Sequence, residues 1–475
     1  MKYKFPGSFT FGTGTSSFQV EMGHSPPSRS TGSDWYKWVH DKDLISNHVV
    51  SGDLPEEGDD FWDKYETDLE LARDIGTDGI RLSLDWARLF PDDAREVDAI
   101  VKHTSSGDIL ESCLDDKGYA ALCKLANTDA VNRYAEILEA AKSRGFKVFL
   151  TMYHWPLPLW IHEPIECHNS MDNADRRGWI DVNTVGEFGK YSDFIIRQYS
   201  KYVDIWQTIN EPESVSLLGY LFGDSYGFPP GISNLGLAFK TQRNLAFAHN
   251  VAYRNVKRRH SIPTGVGVSI PYFEPVNEES MEIASYVEYL YNDWYLNAAL
   301  YGSFDNDLDT KVDEKVPSMG GTDYLGIDYY RRMRVRYDQD SSFAGLLPMS
   351  VETCEDCSDF GWDIYPAGIR KVIQKAYKKY HKPIYVLENG IADASDQKRP
   401  GFIRDHLVEV SRSINDDNVP VLGYFHWSLM DNYEWSSGFS KRFGLYEVDY
   451  STGERIRRRS ADVYAEVCRS REIEV

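Results

Sequence analysis

The sequence predicts an α/β protein, a single (β/α)8 TIM barrel with elaborated loops that takes in residues 1–475 as one catalytic domain. Three observations predict it. Eight short runs rich in β-branched and aromatic residues alternate with segments of helical periodicity. No internal repeat or low-complexity linker divides the chain, and barrels with insertions exceed about 400 residues as one unit. Two of the runs end on a glutamate. Residues 204–212, DIWQTINEP, stop at Asn210 and Glu211; residues 384–391, IYVLENGI, stop at Glu388, Asn389 and Gly390. In a parallel barrel all strand ends meet at one mouth, so acids distant in sequence are brought together. Two carboxyl groups facing one acetal are what glycoside hydrolysis requires.

Each element follows from local pattern. Residues 9–19, FTFGTGTSSFQ, alternate aromatic and small side chains and predict a first strand ending near Gln19 and Glu21. Residues 23–57, rich in Ser, Pro, Gly, Asp and Trp, read as a long loop over the mouth. Residues 61–75 carry apolar positions at helical spacing. Residues 79–86, GIRLSLDW, predict a second strand holding Arg81, and a buried arginine is costly unless paired, so Arg81 is expected to meet a carboxylate inside the barrel.

The acidic stretch 92–117 reads as a surface excursion, and 129–144 as a helix stopped by Gly145. Residues 147–155, KVFLTMYHW, form a third strand that delivers His154 and Trp155. A lone histidine after a strand is more often structural than catalytic, but its place at a barrel mouth favours function. Residues 184–202 predict the helix before the Glu211 strand. Strands five, six and eight are expected at 265–270, 324–330 (YLGIDYY, with Asp328 and Tyr330) and 421–427 (VLGYFHW, ending in Trp427). An aromatic loop bearing Glu434 and Trp435 follows.

Composition narrows the partners. A 42% hydrophobic, 27% charged chain is ordinary for a globular protein, whereas 12 Trp and 31 Tyr are many; most should fill the core, and some offer flat faces to sugar rings. With 52 basic against 74 acidic residues, the net charge of −22 argues against nucleic acid and anionic membranes. The start, MKYKFPGSFTFG, lacks the apolar segment of a secretory leader, and no run of about eighteen apolar residues occurs, so a cytoplasmic protein is expected.

Cys113, Cys123, Cys167, Cys354, Cys357 and Cys468 show no regular framework and are expected as free thiols. Cys354 and Cys357 form a CxxC, but no second pair or histidine spacing completes a zinc site. No metal and no cofactor are expected.

The motifs resemble glycoside hydrolase family 1, the β-glucosidase and β-galactosidase family. The resemblance rests on SSFQVE at Gln19, YHWPLP at His154, QTINEP at Glu211, LENG at Glu388 and HWSLMDNYEW at Glu434, in that order over residues 5–465. The phrases DWYKWVHD (34–41) and VSGDLPE (50–56) are similar to the archaeal branch. This resemblance implies a retaining β-glycosidase with Glu388 as nucleophile and Glu211 as acid/base. It further implies that Gln19, His154, Asn210, Glu434 and Trp435 bind sugar hydroxyls, with Trp155 a further contact. Trp427 would lie under the ring, while Tyr330 and Arg81 would hold the nucleophile. Archaeal relatives are often tetramers, so a homo-oligomer is implied.

Two positions depart from the family pattern: Leu387 stands where a small polar residue is usual, and Asp328 stands for Asn on the sixth strand. The extra carboxylate is expected to alter pH dependence. Alternatives are a 6-phospho-β-glycosidase and a sugar-binding barrel without turnover. Glu434 would repel a 6-phosphate, and Phe443 replaces the phosphate-binding Tyr of the phospho-specific members. Lys441 is a contrary sign, but a lysine in that loop is as readily a solvated surface residue.

Overall fold

All eight runs form strands, and in the computed structural model, which describes residues 2–343 and 345–474, they close into one barrel. The strands are β1 (Thr10–Gly14), β2 (Gly79–Ser83), β3 (Lys147–Tyr153), β4 (Ile205–Asn210), β5 (Thr264–Ser269), β6 (Tyr324–Asp328), β7 (Ile384–Asn389) and β8 (Val421–His426). Each pairs in parallel with its neighbours in chain order, and β8 returns to β1. Parallel neighbours require crossovers, which helices supply.

Strand alternation divides two cores. Ile80, Leu82, Val148, Leu150, Ile384 and Val386 pack into a large cluster with apolar helix residues such as Leu69, Ile137 and Ile373. Their sequence neighbours turn the other way: Phe149, Ile205, Tyr324, Tyr385, Leu387 and Phe425 form a cluster drawn from strands alone, which fills the barrel interior. Leu387, the unusual residue before Glu388, is fully buried there. The helices Phe61–Ile75, Thr128–Ser143 and Asn183–Tyr199 lie where periodicity predicts them, the second followed by Gly145 at φ 85°. Among the described residues, no helix is long and apolar enough to cross a membrane.

Several expectations are corrected. The first strand stops at Gly14, and Gln19 sits on a short helix, Ser17–Val20, because the Ser17 N–H turns to the Ser83 hydroxyl at 2.7 Å instead of continuing the ladder. The presumed loop 23–57 contains helices Asp34–Val39 and Lys42–Ser46, capped by the side chains of Ser33 and Asp41. The excursion 92–117 holds an antiparallel hairpin, Ile100–His103 with Ile109–Cys113, tied down where Arg243 donates to Asp108 at 2.7 Å. Cys354 and Cys357 are not free thiols: the turn between them brings their Cα atoms to 5.7 Å, within bridging range, and they form a disulfide.

Candidate active site

Strict alternation would turn Glu388 outward, since Leu387 already faces the barrel interior. The ladders break instead: on β6 the partners are Ile327 with Val386 and then Asp328 with Glu388, and the register with β8 shifts between Val386 and Asn389. Leu387 is thus the extra residue of a bulge, which re-aims Glu388 inward at the rim. β4 repeats the device, with a register shift between Gln207 and Asn210. Glu211 follows at φ 43°, a left-handed conformation rare for a non-glycine residue. Its N–H is held by the Gly267 carbonyl at 2.8 Å.

Arg81 is fully buried and donates to three partners: Glu388 at 2.6 Å, Gln207 at 2.7 Å and Asn210 at 2.5 Å. The Tyr330 hydroxyl donates to the other Glu388 oxygen at 2.6 Å. One oxygen of Glu388 therefore meets a fixed cation and the other a neutral donor. Gln207, which sequence reasoning missed, orients this cluster: its carbonyl accepts from Arg81 and, at 2.9 Å, from Thr151, and its amide donates to Asn210 at 3.0 Å. Its inward position in the QTINEP strand was the available signal.

Glu211 is 6% exposed and accepts from Ser214 at 2.7 Å. Burial first, and the Glu388 charge second, push its carboxyl up to about 8, against the pull of Ser214 and Arg81. Of the two, desolvation is the larger cause. An oxygen of Glu211 and one of Glu388 approach within 4.8 Å. That is close to the separation of about 5–5.5 Å for direct attack, and short of the roughly 6.5–9.5 Å that leaves room for an intervening water.

Asp328 lies in the same 4.8 Å cluster, fully buried, with neither carboxylate oxygen partnered among the described residues. Three such acids could also bracket a cation; here Arg81 supplies the positive charge. Burial, then Glu388, hold the Asp328 carboxyl well above the ordinary range. A raised carboxyl gives its full stabilising contribution below about pH 3.9 and loses it as pH rises toward the folded-state value. Asp328→Asn is therefore expected to raise the melting temperature over wild type by a gap that widens from pH 4 to pH 8, on the order of a few degrees. Thermal scans across that range check it, and a pH-independent gap counts against it.

Every predicted site residue except Asn210 and Arg81, which stand behind the wall, lines a cavity of about 590 Å³. His154 is held neutral by burial and by the Arg81 charge. The Asn210 carbonyl oxygen is occupied by Arg81 and Gln207, so its amide is the donor toward His154 Nε2, 3.2 Å away. The imidazole proton then sits on Nδ1, a buried donor with no partner among the described residues. Gln19 donates to Glu434 at 3.1 Å and to Asn432 at 3.0 Å. Burial and the charges of Glu388 and Glu211 push Glu434 up to about 8, an effect tempered by its partial opening to the cavity. Trp435 and Trp155, both at positive φ, have ring centroids 4.3 Å apart, and the Trp155 indole donates to the Asn210 main-chain carbonyl. Trp427 and Phe443 complete the wall, whereas Lys441 turns away to the Asp359 carbonyl at 2.7 Å.

Known proteins resemble this chain over nearly its whole length. The family model described as glycosyl hydrolase family 1 matches residues 1–99 and 123–473, leaving out only the hairpin region and the chain's last residues. A β-galactosidase of Saccharolobus solfataricus is 38% identical over 98% of this chain and 95% of its own length. The crystal structure of the β-glycosidase from Thermosphaera aggregans superposes with a TM-score of 0.92 at 34% identity, covering 98% of this chain and 97% of that one. A β-glucosidase mutant derived from a hyperthermophilic tetrameric structure gives 0.90 at 35% identity, covering 99% and 97%. With barrel strands and mouth loops alike inside the match, the chain belongs to glycosyl hydrolase family 1.

Proposed function

We propose that Glu388 and Glu211 carry out a retaining, two-step hydrolysis of terminal β-D-galactosides and β-D-glucosides. The observation that carries the reading is the close approach of the two carboxyl groups, one gripped by Arg81 and Tyr330, the other pushed toward its protonated form. Glu388 attacks the anomeric carbon while Glu211 gives its proton to the departing oxygen. Esterification removes the Glu388 charge and with it part of what raises Glu211, which then serves as base for the incoming water.

The inner cavity suits the nonreducing sugar. His154 Nδ1 is a donor, Glu434, held in place by the Gln19 amide, an acceptor for the 4- and 6-hydroxyls, and Trp427 a platform for the ring. Asn210, next to the acid in sequence, is assigned the 2-hydroxyl by the family pattern although it stands behind the cavity wall, and contacts there tighten as the oxocarbenium-like state forms. Glu434 disfavours a phosphate on position 6 once it ionises, as pH rises through about 8. Names borne by the relatives, β-galactosidase and β-glucosidase, support both epimers as substrates, and the tetrameric parent of one solved relative supports a homo-oligomer of one-domain catalytic subunits.

Aryl β-galactoside, β-glucoside and their 6-phosphates, assayed side by side, test the reading. Release of phenol from the plain glycosides, with at least about tenfold lower kcat/KM on the phosphorylated ones, is expected. Preference for the phosphates would install the 6-phospho-glycosidase alternative, and no turnover at all the sugar-binding one.

A further inference from the structure

Beyond the glutamates the cavity opens to a rim built by Arg331, which follows Tyr330 directly, and by Phe360, Gly361 and Trp362. Among the described residues that line the cavity, Arg331 is the one arginine or lysine. Its guanidinium makes no hydrogen bond or ion pair among the described residues; it lies over the Trp362 ring, 5.2 Å from the centroid. The next residue behaves oppositely. Arg332 donates to Asp363 at 2.7 Å and to Glu274 at 2.8 Å, and Arg334 and Arg336 share Glu352. In a chain with 74 acidic residues, a half-buried arginine without a carboxylate is out of keeping with its surroundings, since partial burial costs hydration that the Trp362 ring returns only in part.

The platform under it is fixed in advance. Trp362 stacks on Phe360 with centroids 4.4 Å apart and planes 7° from parallel. The Ser358 hydroxyl accepts the N–H groups of Phe360 at 3.3 Å and Trp362 at 3.2 Å, and the Cys354–Cys357 disulfide closes the preceding turn.

We propose that Arg331 and Trp362 form an outer subsite for a leaving group that bears a carboxylate, so that glycosides of aromatic acids are preferred substrates. The proposal rests on the retaining-glycosidase reading above. A planar carboxylate takes two parallel N–H bonds from the guanidinium fork, and the attached ring lies along the rim beside the Trp362–Phe360 stack, whose outer face the guanidinium itself covers. Glu388 at the inner end repels the same anion, so the charge pattern orients the substrate with its acid outward.

The test compares kcat/KM for 4-carboxyphenyl and 4-carbamoylphenyl β-galactosides in wild type, Arg331→Gln and Arg331→Lys. The ratio is taken within each enzyme, so a general loss of activity cancels. The acid-to-amide ratio should fall about tenfold in Arg331→Gln and less in Arg331→Lys, which keeps the charge without the fork. An unchanged ratio overturns the proposal. On the wild type alone, 4-hydroxybenzoate should bind about tenfold more tightly than 4-hydroxybenzamide by calorimetry, and equal or weaker binding of the acid also overturns it. Calorimetry needs no turnover, so a failure of both glycosides to react would count against the glycosidase reading alone.

Discussion

Glu388→Gly should lose turnover by on the order of 10⁵-fold, equivalent to about 7 kcal/mol of barrier. The loss should be the same for activated and unactivated leaving groups, because without the nucleophile no glycosyl-enzyme forms whatever departs. Arg81 and Tyr330 then face an empty site that suits a small anion. Added azide is expected to restore turnover of a dinitrophenyl β-glycoside and to yield the α-glycosyl azide, since it attacks from the face Glu388 occupied. Activity within tenfold of wild type, or a β-configured azide product, removes Glu388 from this role.

Glu211→Ala should instead discriminate among substrates. Glycosides with poor leaving groups should slow by about 10⁴-fold, the upper range for general acid catalysis, while a dinitrophenyl glycoside should still form its glycosyl-enzyme at near wild-type rate. Azide should now give the β-glycosyl azide, because a nucleophile that needs no base replaces water on the Glu211 side. The pH profile provides a second readout. Wild-type kcat/KM should fall as pH rises through about 8, where Glu211 loses the proton it must donate; the variant should lack that alkaline limb. A uniform loss across leaving groups, or an alkaline limb that survives the substitution, would show that another group is the acid.

The burial that makes Glu211 an acid has a cost in stability. Glu211 and Glu434 lose their stabilising contribution as pH climbs from the ordinary carboxylate range toward about 8, and Asp328, raised in the same direction, adds to the strain on the folded state as pH rises. Arg81 offsets part of this in the centre of the cluster, the reason a buried arginine is tolerated in a barrel strand.

Much was legible locally. The eight strands, the helices Phe61–Ile75 and Thr128–Ser143, and the glutamates at two strand ends follow from apolar period, capping residues and breakers within a few positions. The same local logic demanded a carboxylate for Arg81 without saying which. Helix Asp34–Val39 could have been read from the cap at Ser33, but its surrounding Pro, Gly and Ser concealed it.

What the chain alone determined is therefore which residues become strands and which acids stand at their ends, because backbone preference and side-chain alternation are properties of neighbours in sequence. Folding decided where those acids point. Alternation assigns Glu388 to the outer face, and only the mismatch of β7 against β6 and β8 creates the bulge that brings it to Arg81. Burial likewise belongs to the assembled barrel: the proton on Glu211, the neutral His154, the Cys354–Cys357 bridge and the unpaired Arg331 each depend on groups tens to hundreds of positions away, or on a turn whose closure no spacing rule dictates.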